Sequence, residues 1–222
     1  MNKIKKYIII GIMPLLTGCS DFLDLVPEED ITTVETLFEQ RTSVEEWEAD
    51  CHSFIRSIST PQGNLGLSAS DELVGNKLMR TGLSSPINGL LIGEGLQSVQ
   101  QPYGNIWSNT GYFLAIRFCN TFIEKAITCY NTSELEKKQW TAEVKALKAY
   151  LYFEMVRRYG PIILVPENLP TDTDVESMKQ PRRPLDECFD AIVSLIDEAI
   201  ADGLLPKSQK PASHSAYFCR ES

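Results

Sequence analysis

Hydrophobic residues recur at intervals of three and four along much of the chain, which is the spacing that places them on one face of a helix. The pattern predicts helices over residues 43–59, 107–129, 133–159 and 184–201. A shorter helix is expected to begin near Thr32. Three of these starts have the Ser/Thr-x-x-Glu spacing of a capping box, namely Thr32 with Glu35, Ser43 with Glu46, and Ser133 with Glu136.

The helix predicted over 133–159 has the broadest apolar surface. One stripe contains Trp140, Val144, Leu147, Leu151 and Met155, and it is widened by Ala146, Ala149, Tyr150 and Phe153. We therefore expect this helix to be packed on two sides and to end at Gly160-Pro161. Amphipathic helices separated by loops, with no clear strand pattern, predict an all-α fold of packed helix pairs.

The stretch from 60 to 106 lacks any sustained period and is rich in Gly and Ser. Pro occurs at positions 61, 86 and 102. The composition predicts long loops with short helices. A stretch of this length without regular structure inside a compact domain is usually functional or mobile.

The first residues have the pattern of a bacterial lipoprotein signal. Lys3, Lys5 and Lys6 precede an apolar run over 7–16 that is too short to span a bilayer as a helix. Leu16-Thr17-Gly18-Cys19 then resembles a lipobox, in which the cysteine is lipidated. We predict a signal peptide over 1–18, lipidation of Cys19 and a tether over 19–31. The alternative is an ordinary signal peptide with a chance cysteine.

The charge of the chain excludes some partners. The 222 residues contain 30 acidic and 21 basic side chains, for a net charge of -9. A nucleic-acid partner is disfavoured because phosphate binding needs clustered Lys and Arg. The predicted signal peptide contains three lysines and no acid, so the mature chain is more acidic still. Anionic headgroups would not attract such a chain, so acyl chains must provide the anchoring to the membrane.

Catalytic and metal-binding motifs are absent from the sequence. There is no H-E-x-x-H, C-x-x-C, G-x-S-x-G or Walker loop, and the two histidines are too few for most zinc sites. We expect no catalytic residue, metal or cofactor. Cys51, Cys119 and Cys188 lie on predicted helices and are expected to be buried free thiols.

Three blocks together resemble the SusD/RagB family of outer-membrane nutrient-binding lipoproteins. They are CSDFLD over 19–24, YGNIW and the residues that follow it over 103–123, and EVKALKAYLYFEMVRRYGP over 143–161. The third block is the most specific, although Lys148 stands where the family more often has arginine. The acidic residues after Cys19 also resemble the surface-export signal of Bacteroidota lipoproteins. The resemblance extends over residues 1–206.

The resemblance implies an all-α fold of tetratricopeptide-like helix pairs with long loops over 32–206. It also implies a lipid-anchored protein of the outer membrane, facing the cell surface, that captures glycans or other nutrients. Such proteins deliver their ligand to a SusC-like TonB-dependent transporter and are not enzymes. Loops build the binding sites of the family, and aromatic rings stack there on sugar faces.

The loop stretch 60–106 is therefore where we expect a ligand site. Asp71, Asn76 and Arg80 are the polar candidates, and Tyr103 is the aromatic one. For Asp71, helix capping or loop hydrogen bonding is at least as good an interpretation. Trp107 and Tyr112 are expected in the core because they open an apolar stripe.

The final segment departs from the family pattern. Residues 207–222, KSQKPASHSAYFCRES, have no helical period, and family members are longer. We therefore expect the chain to correspond to the N-terminal portion of a family member, apparently truncated, with an atypical tail. Two alternatives to nutrient capture stay open at this point: a nonfunctional fragment, and a helical adaptor that binds protein.

Overall fold

The computed structural model describes residues 34–82, 87–100, 102–108, 111–170 and 172–202. The signal peptide, Cys19, the tether and the tail over 207–222 lie outside the described residues. The chain divides into two compact units, Met1–Leu37 and Phe38–Ser222. Of the first unit, residues 34–37 are described, and they are helical.

Seven α-helices are described. They are α1 (Val34–Glu39), α2 (Arg41–Ser53), α3 (Leu65–Ala69), α4 (Asn88–Gly93), α5 (Tyr112–Lys125), α6 (Glu134–Tyr159) and α7 (Leu185–Ala201). A π-helical turn covers Leu78–Gly82 and a 3-10 turn covers Ala126–Thr128. The described part of the chain contains no strand, which confirms the predicted all-α fold.

The long α6 begins and ends as the sequence predicts. The Ser133 hydroxyl accepts from the backbone N–H of Glu136 at 3.3 Å, and the Glu136 carboxylate accepts from the Ser133 N–H at 3.0 Å. The Glu136 carboxylate also accepts from the Ser133 hydroxyl at 2.8 Å. The two bonds that Ser133 donates to this carboxylate, joined by one from Arg41, lower the pKa of Glu136 to about 2. Gly160 ends the helix with a φ of 68°, which suits a residue without a Cβ.

Replacing Ser133 with alanine is expected to lower the free energy of unfolding by about 1 kcal/mol, the usual effect of losing an N-cap side chain. Urea unfolding followed by circular dichroism measures the change. Ser133→Thr retains the hydroxyl and serves as the matched control, so it should lie close to the native protein. Equal losses in both variants would contradict the capping role.

The two helices that precede α6 differ from their predicted bounds. α2 begins at Arg41 with Gln40 as its N-cap, and that residue makes no side-chain cap, so the capping box predicted at Ser43 is wrong. α2 also ends at Ser53, since the N–H of Ile55 bonds to the carbonyl three residues back.

α5 begins at Tyr112 rather than Trp107, for a local reason. The Asn105 side chain accepts from the N–H of Trp107, and a turn then joins Gly111 to Ser108. The N–H groups of Trp107 and Gly111 are therefore satisfied outside a regular helix. Tyr112 is buried, as predicted, whereas Trp107 is half-buried.

The core forms where α5 and α6 pack together and where α2 joins them. Phe38, Trp47, Phe118 and Phe122 make an aromatic cluster with ring centroids 4.8–6.0 Å apart. The Trp47 indole N–H also donates to the carbonyl of Phe118 at 3.2 Å. α6 contacts α5 on one side and α7 on another, which confirms the prediction that it is packed on two sides.

Burial on α7 is less complete than its apolar pattern suggests. Cys188 and Ala199 are buried, whereas large apolar side chains on the same helix are exposed, including Phe189, Val193 and Ile200. Cys51, Cys119, Cys129 and Cys188 are buried free thiols, as predicted for three of them. The thiols of Cys51 and Cys119 are hydrogen-bonded, which together with burial raises the pKa of Cys51.

Residues 161–166, which follow α6, form an extended segment that is held in place by hydrogen bonds. The Tyr152 hydroxyl donates to the carbonyl of Val165 and accepts from the Val165 N–H, both at 2.8 Å. The N–H of Arg183 donates to the carbonyl of Ile162 at 2.7 Å. These bonds fix the segment beside α6 and α7, where it forms one wall of a cleft.

Candidate functional site

Two of the predicted ligand residues in the loop stretch make local structural contacts. The Asn76 side-chain oxygen accepts from the N–H of Met79 at 3.0 Å and so caps the π-helical turn. Arg80, on that turn, forms an ion pair with Glu94 at the end of α4. Both side chains therefore stabilise the loop that carries them.

The other two predicted residues lie at different places on the loops. Asp71 is exposed and follows Ser70, the C-cap of α3. Tyr103 is half-buried, and its N–H donates to the Gln97 side chain at 2.7 Å. That bond fixes the backbone of Tyr103 and leaves its ring as the candidate platform. The structure joins neither of them to Asn76 or Arg80 through a hydrogen bond.

Trp107 does not act as an open platform. Its ring makes edge contacts with Phe113 and Tyr159, at centroid distances of 5.1 and 5.3 Å. The Arg182 guanidinium lies 4.6 Å from the ring centroid. Contacts with two rings and a cation explain why Trp107 contributes to packing although it lies outside a helix.

A cleft of about 590 Å³ lies between α6, α7 and the extended segment. Its walls combine apolar side chains with three cations and two carboxylates. The lining residues are Ile123, Lys145, Lys148, Tyr152, Leu164, Pro166, Arg183, Glu187, Ala191, Ser194, Leu195 and Glu198. None of the four predicted site residues is among them. A volume in this range suits a small ligand.

Lys148 is the most buried cation of the cleft, with 2% of its surface exposed. Its ammonium donates to the Asn120 side-chain oxygen at 2.5 Å and to the carbonyl of Pro166 at 2.7 Å. Burial lowers the pKa of Lys148 to about 8, while the Cys119 thiol and Glu198 act in the opposite direction. Lys148 therefore links α5, α6 and the extended segment through neutral oxygen atoms.

Lys145 has a different electrostatic environment. Its ammonium lies 3.0 Å from a Glu198 oxygen and 3.5 Å from an Asp202 oxygen. These ion pairs join α6 to the C-terminal end of α7. Lys145 is thus neutralised by its neighbours and serves mainly to connect the two helices.

Sequence reasoning missed this cleft, although one signal for it was present. Lys148 follows Val144 by four residues and precedes Leu151 by three, so it lies beside an apolar stripe. A charged residue at such a position marks either a buried polar contact or a site. The partners of Lys148 come from distant parts of the chain and could not be read from α6 alone.

The described residues hold no group of three His, Cys, Asp or Glu side chains placed to bind a metal ion. Among the same residues, no helix is both long and apolar enough to cross a membrane. The arrangement in the cleft is suited to noncovalent recognition by hydrogen bonds, cations and apolar walls.

Comparison with known proteins identifies relatives of known structure. A SusD-like protein from Bacteroides fragilis is 30% identical, with a TM-score of 0.63; the match covers 79% of this chain and 32% of that one. A laminarin-binding SusD-like protein is 17% identical with a TM-score of 0.58, over 78% of this chain and 36% of that one. Surface glycan-binding protein A from Bacteroides uniformis is 16% identical with a TM-score of 0.58, and the match covers 79% of this chain and 37% of that one.

The second and third of these similarities concern the fold alone. The chain spans about a third of the length of these solved relatives. No match was found among curated proteins. A family model of SusD-like proteins, described as starch-binding and associating with the outer membrane, matches residues 21–218. The chain therefore belongs to the SusD/RagB family.

Proposed function

We propose that this chain is a surface lipoprotein of the outer membrane that captures glycans and delivers them to a TonB-dependent transporter without catalysing a reaction. The observation that carries the proposal is the family match over residues 21–218, whose description names starch binding and the outer membrane. Membrane attachment is assigned to lipidation of Cys19. The transporter partner is assigned from the family resemblance.

The physical properties of the described structure support glycan capture. Sugars present apolar C–H patches surrounded by hydroxyl groups, so their sites combine apolar or aromatic surfaces with a few polar groups. The loop stretch provides Tyr103 together with Asp71, and the cleft provides apolar walls with polar side chains between them.

Isothermal titration calorimetry of the full chain with a panel of oligosaccharides tests the proposal. We expect saturable binding to at least one glycan. Tyr103→Ala should weaken that binding by up to about tenfold, because an aromatic contact contributes roughly 0.5–1.5 kcal/mol. Tyr130→Ala is the matched control, since Tyr130 is exposed and lies outside the loop stretch.

The outcomes test glycan binding by the chain and the role of Tyr103 in that binding separately. If the two tyrosine variants bind equally well, Tyr103 is not part of the site although glycan capture stands. If the folded native chain binds no glycan of the panel, the proposed function is wrong. Labelling with a fatty-acid analogue in cells tests the anchor, and Cys19→Ser should abolish the label.

A further inference from the structure

Two of the three cations in the cleft have no carboxylate partner. Lys145 is paired with Glu198 and Asp202. Lys148 and Arg183 have no carboxylate within 4.0 Å among the described residues. Both border the same cleft, Lys148 from α6 and Arg183 from the connector before α7. Lys148 and Arg183 therefore lack a direct ion pair, although Glu187 and Glu198 border the same cleft.

The burial of Lys148 makes this charge significant. An ammonium with 2% exposure is normally paired with a counter-ion, because removing a charge from water is costly. Lys148 instead has two neutral acceptors, the side chain of Asn120 and the carbonyl of Pro166. An ammonium has three N–H donors, and beyond these two oxygen atoms the Lys148 ammonium has the face of the Tyr152 ring, with 5.7 Å between Nζ and the ring centroid. No third oxygen acceptor is found for it among the described residues. A ligand carboxylate would supply a third oxygen acceptor and a direct ion pair for this ammonium.

The remaining walls narrow the class of ligand. Ile123, Leu164 and Leu195 provide apolar surface, which suits the C–H face of a sugar ring. Glu187 and Glu198 also border the cleft and would repel a doubly charged phosphate more strongly than a singly charged carboxylate. The combination favours a small ring compound that bears one carboxylate.

We propose that this cleft binds the carboxylate-bearing unit of an acidic saccharide, with Lys148 and Arg183 as its cationic contacts. The inference rests on the proposed glycan-binding function and specifies the class of sugar. It places a site on the helical scaffold, separate from the loop residues Asp71 and Tyr103.

Calorimetry with three probes tests the inference on the full chain. The probes are tri-galacturonic acid, its methyl ester, and a neutral glucan. The ester keeps the sugar ring and removes the charge, so we expect the acid to bind at least tenfold more tightly than the ester. Lys148→Met should reduce that preference at least tenfold. Lys138→Met, the same change at an exposed position of α6, should leave it unaltered.

A second variant tests the inference even if Lys148→Met fails to fold. Arg183 is exposed, so the Arg183→Gln variant should fold normally. We expect it to bind tri-galacturonic acid three- to tenfold more weakly than the native chain does. Equal binding of acid and ester, or binding of the neutral glucan alone, overturns the inference and leaves the proposed function intact. Binding of none of the probes by the folded chain overturns the inference, and failure across the wider glycan panel overturns the proposed function as well.

The dependence on pH provides a further readout. The titratable groups around Lys148 are Cys119 of α5, Lys145 and Tyr152 of α6, Arg183 of the connector, and Glu187 and Glu198 of α7. The pKa of Lys148 is about 8, so its ammonium loses its proton as the pH rises through this value. The preference for the acid should therefore fall between pH 7 and pH 9. A preference constant over this range contradicts the role of Lys148.

Discussion

Replacing Glu48 with glutamine should stabilise the protein at pH 8 by about 2–3 kcal/mol and have little effect at pH 5. Glu48 is buried on α2, and this burial raises its pKa to about 9. A hydrogen bond with Glu143 of α6 and repulsion from its charge act in the same direction. At neutral pH Glu48 therefore holds its proton at the α2–α6 contact.

The sign of the pH dependence follows from the raised pKa. Between the ordinary value of 4.5 and about 9, the folded protein holds a proton on Glu48 that the unfolded chain has lost. The free energy of unfolding consequently falls as the pH rises through this window. Glutamine keeps a hydrogen-bond donor toward Glu143 and has no proton to lose, so the variant should not show this fall.

Urea unfolding at a series of pH values measures the effect. Glu46 lies on the same helix and is exposed, so Glu46→Gln is the matched control and should follow the native curve. A Glu48→Gln curve that runs parallel to the native one between pH 5 and pH 8 would show that Glu48 is not protonated in the folded state.

Gly89→Ala should destabilise the packing of α3 on α4 by about 2–3 kcal/mol, the range expected for overpacking. A Cβ at position 89 would lie 1.8 Å from the Ser68 Oγ, 2.6 Å from its Cβ and 2.9 Å from its backbone carbonyl carbon. A rotation of the serine side chain relieves only the first of these overlaps. The two helices must therefore move apart. The free energy lost in their packing exceeds the roughly 1 kcal/mol that alanine gains over glycine in helix propensity.

Hydrogen exchange of the α3 and α4 amides, together with urea unfolding, measures this change. Gly66→Ala is the matched control because the nearest atom to its added Cβ is 3.6 Å away. That control should leave stability unchanged or raise it slightly. Ser68→Gly should partly rescue Gly89→Ala, since it removes two of the three overlapping atoms. Native-like protection in Gly89→Ala itself would refute the close approach.

Helices with strong local signals could be predicted from the sequence, and those ended by distant or irregular contacts could not. α6 has a capping box at Ser133 and a glycine at 160, so both of its ends are encoded in adjacent residues. The end of α2 depends on a tightened turn after His52, and the start of α5 depends on the Asn105 side chain. Neither feature alters the hydrophobic period.

The candidate site was harder to predict because its parts are distant in sequence. The loop stretch was identified from its composition, yet the role of Arg80 depends on Glu94, which is 14 residues away in sequence. Asn76 caps a local turn at Met79, and that turn is irregular and has no hydrophobic period. The cleft depends on an extended segment held by Tyr152 and on the acceptor Asn120. A periodicity analysis treats each helix separately and cannot show such convergence.

The separation between loops and scaffold has an evolutionary consequence. α3 and α4 pack chiefly on each other, whereas α6 is shared by α2, α5 and α7. Substitutions in the loop stretch therefore perturb a small local group of contacts, and substitutions in α6 perturb several interfaces at once. Selection can diversify the loop surface rapidly while the long helix stays under strong constraint.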